Sequence, residues 1–115
     1  MIDNWIKEIK KEADPDELGM ILAHNGLVRS TSRDGKPVKG VKLSADHAKL
    51  DQLIDQYRAK KGIQAVKVWI NEGDLDIGDT IMYVVVAGRF RTDVLPALES
   101  LVSSIKKEVV TEQEY

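Results

Sequence analysis

The run from Thr80 to Ala87 constrains this chain more than any other stretch, because it is almost wholly apolar and carries no charge. A strand with one wet face alternates apolar and polar residues, whereas a continuous apolar run belongs to a strand covered on both faces. The segment therefore reads as the central strand of a sheet. The rest of the chain must supply neighbours for its edges and cover for its faces. With 115 residues there is material for one domain with a real core, and not for two comfortable ones.

The flanking pattern supplies both. Ile2, Trp5, Ile6 and Ile9 recur at helical spacing, and this first helix is expected to stop at Asp14-Pro15, since a residue before proline leaves the helical region. Gly19 to Val28 reads as a buried strand, with a bulge expected at His24-Asn25-Gly26. A polar loop from Arg29 to Pro37 turns at Asp34-Gly35, and Val38, Val41 and Leu43 mark a return strand. Ser44 is the expected cap of a second helix carrying Leu50, Leu53, Ile54 and Tyr57 inward and ending at Gly62. Ala65 to Asn71 alternates like a half-buried strand, and Glu72 to Asp79 reads as a turn-rich connector. The last helix opens at Thr92 or Asp93, with Pro96 near its first turn and Leu95, Leu98, Leu101, Val102, Ile105 and Val109 inward. The order predicts one α+β domain over residues 1–115, with 1–18 as N-terminal helix and linker and 110–115 as a polar tail prone to fraying.

Composition narrows the chemistry. A net charge of -2 and a pI near 5.7 give no whole-molecule attraction for nucleic acid or an anionic membrane, so an anion site has to be a local cluster. The absence of cysteine excludes disulfides, zinc thiolates and a thiol nucleophile, and suits a reducing cytoplasm. With only His24 and His47, a histidine-rich metal site is not expected, and no stretch has the length and hydropathy of a membrane span or a signal peptide. Asp74, Asp76 and Asp79 match a calcium loop only loosely, and an acidic solvated turn is the simpler reading. His24 reads as a satisfied strand histidine, His47 as exposed, and Trp5 and Trp69 as packing or dimer residues.

Two basic clusters remain. Arg29 follows the first strand directly, with Arg33 and Lys36 in the loop beyond. Arg89 and Arg91 bracket Phe90 just before the last helix, whose final turns carry Lys106 and Lys107. Strand ends and helix N-termini are natural anion sites. Spacing alone equally allows solvated charges that complement the helix dipole.

Three segments in order carry a resemblance. Gly26-Leu27-Val28-Arg29 followed by Asp34-Gly35-Lys36-Pro37-Val38 resembles a G-x-V-R then D-G-x-P-V pattern, and Gly73 to Asp79 resembles a G-x-L-x-x-G-D turn. The pattern, from Gly19 to Val109, is similar to that of the MoaE family, the large subunit of molybdopterin synthase. The resemblance implies an α+β fold of hammerhead type, with a mixed or antiparallel sheet and three helices. It implies a homodimer flanked by a small ubiquitin-like sulfur carrier of the MoaD type. The carrier's C-terminal thiocarboxylate would donate sulfur to a pterin substrate, cyclic pyranopterin monophosphate, in molybdenum or tungsten cofactor biosynthesis. No resident metal or cofactor is implied. By the same resemblance Arg29 and Arg91 are substrate-binding and Lys106 is catalytic.

The chain also departs from that pattern. The histidine of the family's H-R pair is Phe90 here. The tryptophan and lysine of its P-x-W-K segment align with Glu112 and Gln113, and another H-R pair is Asn71-Glu72. A glutamine carries no positive charge, so the alternative is a non-catalytic module that still binds the carrier or a phosphorylated pterin. A third reading, an unrelated α+β domain with coincidental turns, also stays open.

Overall fold

A computed structural model describes all residues, Met1 to Tyr115. Helix α1 spans Ile2–Glu12, and a 3-10 turn at Pro15–Glu17 leads into strand β1, Met20–Leu27. There follow β2 (Gly40–Ala45), α2 (His47–Arg58), β3 (Ile63–Ile70), β4 (Gly73–Asp76), β5 (Thr80–Gly88), α3 (Arg91–Glu108) and β6 (Val110–Glu114). The strands form two three-stranded antiparallel sheets, β1-β5-β3 and β4-β2-β6.

The apolar run is the middle strand of the first sheet, and both its faces are covered. Met82, Val84 and Val86 belong to the main core, which α2 completes with Leu50, Leu53 and Tyr57, and α3 with Val94, Leu98, Leu101 and Ile105. Val85 and Ala87 point the other way, into a smaller cluster closed by Ile9 of α1, with Trp5 and Leu18 beside it. Each fully buried aliphatic side chain contributes about 1.5–3 kcal/mol, so the thicker α2/α3 side dominates stability. Farther along the α1 face, Trp69 stacks on Tyr83 at a centroid distance of 5.5 Å.

The second sheet packs Val41, Leu43 and Leu75 into the same core. It is tied to the first where Val28 donates its amide to the Asp79 carbonyl and accepts from the Gly78 amide. That pair of hydrogen bonds pins the exit of β1.

Several expectations are corrected. Residues 110–115, expected as a loose polar tail, are instead paired: Val110–Glu114 forms an edge strand along β2, and Tyr115 exchanges backbone hydrogen bonds with Gly40. The ladder satisfies backbone groups whatever the side chains, so a polar segment suffices at a solvated edge. The connector contains a real strand, β4, paired with β2. Ser44 lies in β2, and the cap of α2 is Asp46, whose Oδ1 accepts from the Lys49 amide at 3.1 Å. The irregularity in β1 falls between Gly26 and Leu27, at the end of the expected bulge. Helix α3 opens at Arg91 behind Phe90, without a side-chain cap, and Pro96 sits inside it.

Candidate functional site

The exit of β1 opens into a cleft of about 300 Å³. Its floor is sheet one (His24, Gly26, Ile81, Met82), and its walls are Arg29 and Arg33 of the following loop, Lys106 of α3, and Glu112 and Glu114 of β6. A shallower hollow continues along Ser32, Arg33, Asp34 and Val110.

Two of these charges are held by a buried neighbour. Arg29 follows Val28, which is 3% exposed and fixed by its two hydrogen bonds to the Gly78–Asp79 turn. Lys106 follows Ile105, which is fully buried, so the helix aims the ammonium at the cleft. On β6 the pleat alternates sides. Glu112 and Glu114 face the cleft, whereas Gln113 lines neither hollow and lies opposite Lys42 of β2. Gln113 is thus not the residue that answers Lys106 across the cleft; carboxylates are.

The ion pairs of the fold lie elsewhere, between His47 and Glu72, Lys49 and Glu108, and Lys67 and Glu8. Arg29, Arg33 and Lys106 are therefore not tied up by close pairing and are free to meet an anion. Like cations held together strengthen one another's pull on such a ligand, and the two carboxylates moderate it.

His24 occupies the floor, and the sequence reading of a satisfied histidine is corrected. Its Nε2 is buried and has no hydrogen-bond partner in the protein. An orphaned polar atom of this kind costs about 1–3 kcal/mol. Burial first, and then the Lys106 ammonium, push its pKa below the ordinary 6.5, so the imidazole is neutral at neutral pH. Gly26, two residues on and on the same face, leaves room: a Cβ there would stand 3.1 Å from Nε2. The legible signal was parity, since His24 shares the face of core-packed Met20 and Leu22.

Arg91 is not in this cleft. It opens α3 while Lys106 lies in the last turn, about 22 Å away along the helix axis. Around Arg91 apolar side chains are exposed: Phe90 at 53% and Leu95 at 46%. The exposure of Leu95 corrects its expected inward place, because it lies off the face of Val94, Leu98 and Leu101 that packs on the sheet. Arg89 lies 4.8 Å over the Phe90 ring. The structure thus brings Arg29 and Lys106 together and leaves Arg91 at the far end.

The family model described as "MoaE protein" matches residues 3–108, nearly the whole chain. The chain belongs to the MoaE family. An uncharacterized protein of Methanocaldococcus jannaschii is 32% identical over 117 residues, covering 93% of this chain and 98% of that protein. Among solved structures, a molybdopterin synthase from Staphylococcus aureus superposes with a TM-score of 0.77 at 22% identity, over 95% of this chain and 82% of that one. Molybdopterin cofactor biosynthesis protein E from Burkholderia multivorans gives 0.78 at 19% identity, over 99% and 80%. A complex of subunits 1 and 2 of molybdopterin-converting factor from Helicobacter pylori gives 0.76 at 18%, over 98% and 74%. The MoaE fold, with its three helices and antiparallel sheets, is therefore the architecture of this chain. No helix is long and apolar enough to cross a membrane.

Proposed function

We propose that this MoaE protein is the large subunit of a molybdopterin-synthase-type sulfurtransferase. Its family and fold relate it to molybdenum cofactor biosynthesis. The observation that carries the reading is the meeting of Arg29 and Lys106, far apart in sequence, in one cleft beside Arg33. A thiocarboxylate tail and a phosphorylated pterin are both anionic. Guanidinium groups grip a phosphate through paired N–H donors, and a helix-borne ammonium offsets charge on the acyl group. The sulfur arrives on a small carrier subunit, which agrees with a chain that has no cysteine. The Helicobacter assembly of two unlike subunits supports a small-subunit partner of this kind. In this reading the protein is a homodimer, and Arg91 serves the substrate from a second copy.

The test is a single-turnover assay with a thiocarboxylated carrier from the same organism and cyclic pyranopterin monophosphate, following dithiolene formation. Loss of product in Arg29→Ala and Lys106→Ala, with carrier binding retained, is the expected result; unchanged turnover in both removes them from the mechanism.

A second reading, a binding module without catalysis, is favoured by one feature: Glu112 and Glu114 stand in the cleft where anions have to settle. Carrier binding by calorimetry without any product from the wild-type chain is its signature.

A further inference from the structure

We propose that His24 is a second catalytic residue of the cleft, the base that takes a proton from the water completing sulfur transfer. The proposal rests on the transfer reading above. The step begins from a thioester in which the transferred sulfur joins the carrier's acyl carbon to the substrate. Release then requires water. Its oxygen bonds to the acyl carbon as its proton passes to His24. The acyl carbon–sulfur bond breaks with its electron pair on sulfur, and the imidazolium returns the proton to that thiolate. The carrier leaves as its carboxylic acid and the product keeps a thiol, with no oxidant or reductant needed.

Three observations carry the assignment. First, His24 lines the cleft and its Nε2, buried in the free protein, has no hydrogen-bond partner there. Second, its surroundings suit a base. Lys106 of α3 faces it, Arg29 and Arg33 lie on the loop wall, and Glu112 and Glu114 on β6, while β5 contributes only Ile81 and Met82. Imidazole is the side-chain type in this cleft suited to taking a proton from water near neutral pH. The neighbouring ammonium that opposes its protonation is also placed to stabilise the oxyanion formed as water adds. Third, Gly26 places no side chain against Nε2, where a Cβ would stand at 3.1 Å.

The test compares wild type, His24→Phe and His24→Asn in the single-turnover assay across pH 5 to 9, with about a hundredfold loss expected in both variants. Phenylalanine fills the same volume without a base, and asparagine hydrogen-bonds without titrating. Melting curves identify folded variants, and intact mass spectrometry is expected to reveal an accumulating carrier–substrate conjugate. In the wild type the hydrolysis rate rises with pH to a plateau as His24 deprotonates, and this limb disappears in both variants. Product at the wild-type rate with an unchanged pH profile in His24→Phe overturns the assignment while leaving the transfer reading intact. No product from the wild type overturns both.

Discussion

At the scale of single residues, the cleft is a contest between three cations and two carboxylates, and its balance is open to measurement. Removing a carboxylate charge that faces a bound anion is worth about 0.5–1 kcal/mol at a solvated site, or roughly two- to fivefold in affinity. Glu112→Gln and Glu114→Gln are therefore each expected to tighten binding of a phosphorylated pterin by that factor, measured by calorimetry. The gain should shrink as salt rises from 50 to 300 mM; equal affinities at low salt would show that neither carboxylate faces the ligand. The histidines provide a second contrast. His47 Nε2 lies 2.9 Å from Glu72, and that hydrogen bond raises the His47 pKa above 6.5 and lowers that of Glu72 below its ordinary 4.5. The histidine's contribution is present below pH 6.5 and lost as pH climbs through its raised value. The carboxylate's is present above pH 4.5 and lost as pH falls through its lowered one. The pair thus works best between those limits, weakly, because both groups are exposed. His24 has the opposite sign: its depressed pKa makes the folded state resist protonation, so stability falls as pH drops below 6.5 and levels off under the folded value. In an NMR titration of the two imidazoles, His47 should titrate above His24, and Glu72→Gln should lower His47 alone. A shift of both would reveal coupling that the geometry does not contain.

At the scale of elements, the β5–α3 junction depends on close backbone approach. Gly88 ends the buried strand against the turn containing Gly62, whose carbonyl accepts from the Arg89 amide at 3.1 Å. A Cβ at Gly88 runs into the Gly62 carbonyl oxygen and stands 2.9 Å from the Val94 Cγ2 methyl. Backbone cannot move aside as a side chain does, so Gly88→Ala should cost about 1–3 kcal/mol. That lowers Tm by roughly 5–15 °C. Gly35→Asn, at φ 82° in open space, should change little, because asparagine tolerates that backbone region. A calorimetric scan decides, and equal melting of the two variants would sink the argument. The same elements show what could be read in advance. Helix α1 and the core of α3 were legible because their apolar residues follow one period, and strand β5 because its apolar run is unbroken. Strands β4 and β6 were not: β4 has Leu75 as its only buried residue, β6 has none, and both exist because β2 pairs with them across long stretches of chain. The start of α3 was displaced because Phe90 gives no capping signal, while Thr92 and Asp93 look like caps. In the site, Arg29 and Lys106 were legible through the motif order. Glu114 and the unsatisfied His24 needed the pleat of β6 and the fold of β1 over α3.

At the scale of the whole molecule, the chain is elongated, 47 × 24 × 22 Å, and α3 separates the two basic clusters. If Arg91 acts on substrate together with Lys106, it has to do so on a second copy, because one helix cannot bring its own ends together. Exposed Phe90 and Leu95 beside Arg91 give that end an apolar surface suited to burial against another chain. A two-fold dimer makes the consequence countable. Arg91→Ala and Lys106→Ala should each be inactive as pure proteins. Unfolded together and refolded at equal concentration, half of the dimers are mixed, and each mixed dimer contains one site with both residues intact. Activity should therefore return to roughly a quarter of the wild-type rate. If Arg91 acts within its own chain, every site lacks one residue or the other and mixing restores nothing. If Arg91→Ala is fully active alone, the residue belongs to no site, and the far end of α3 serves the fold only.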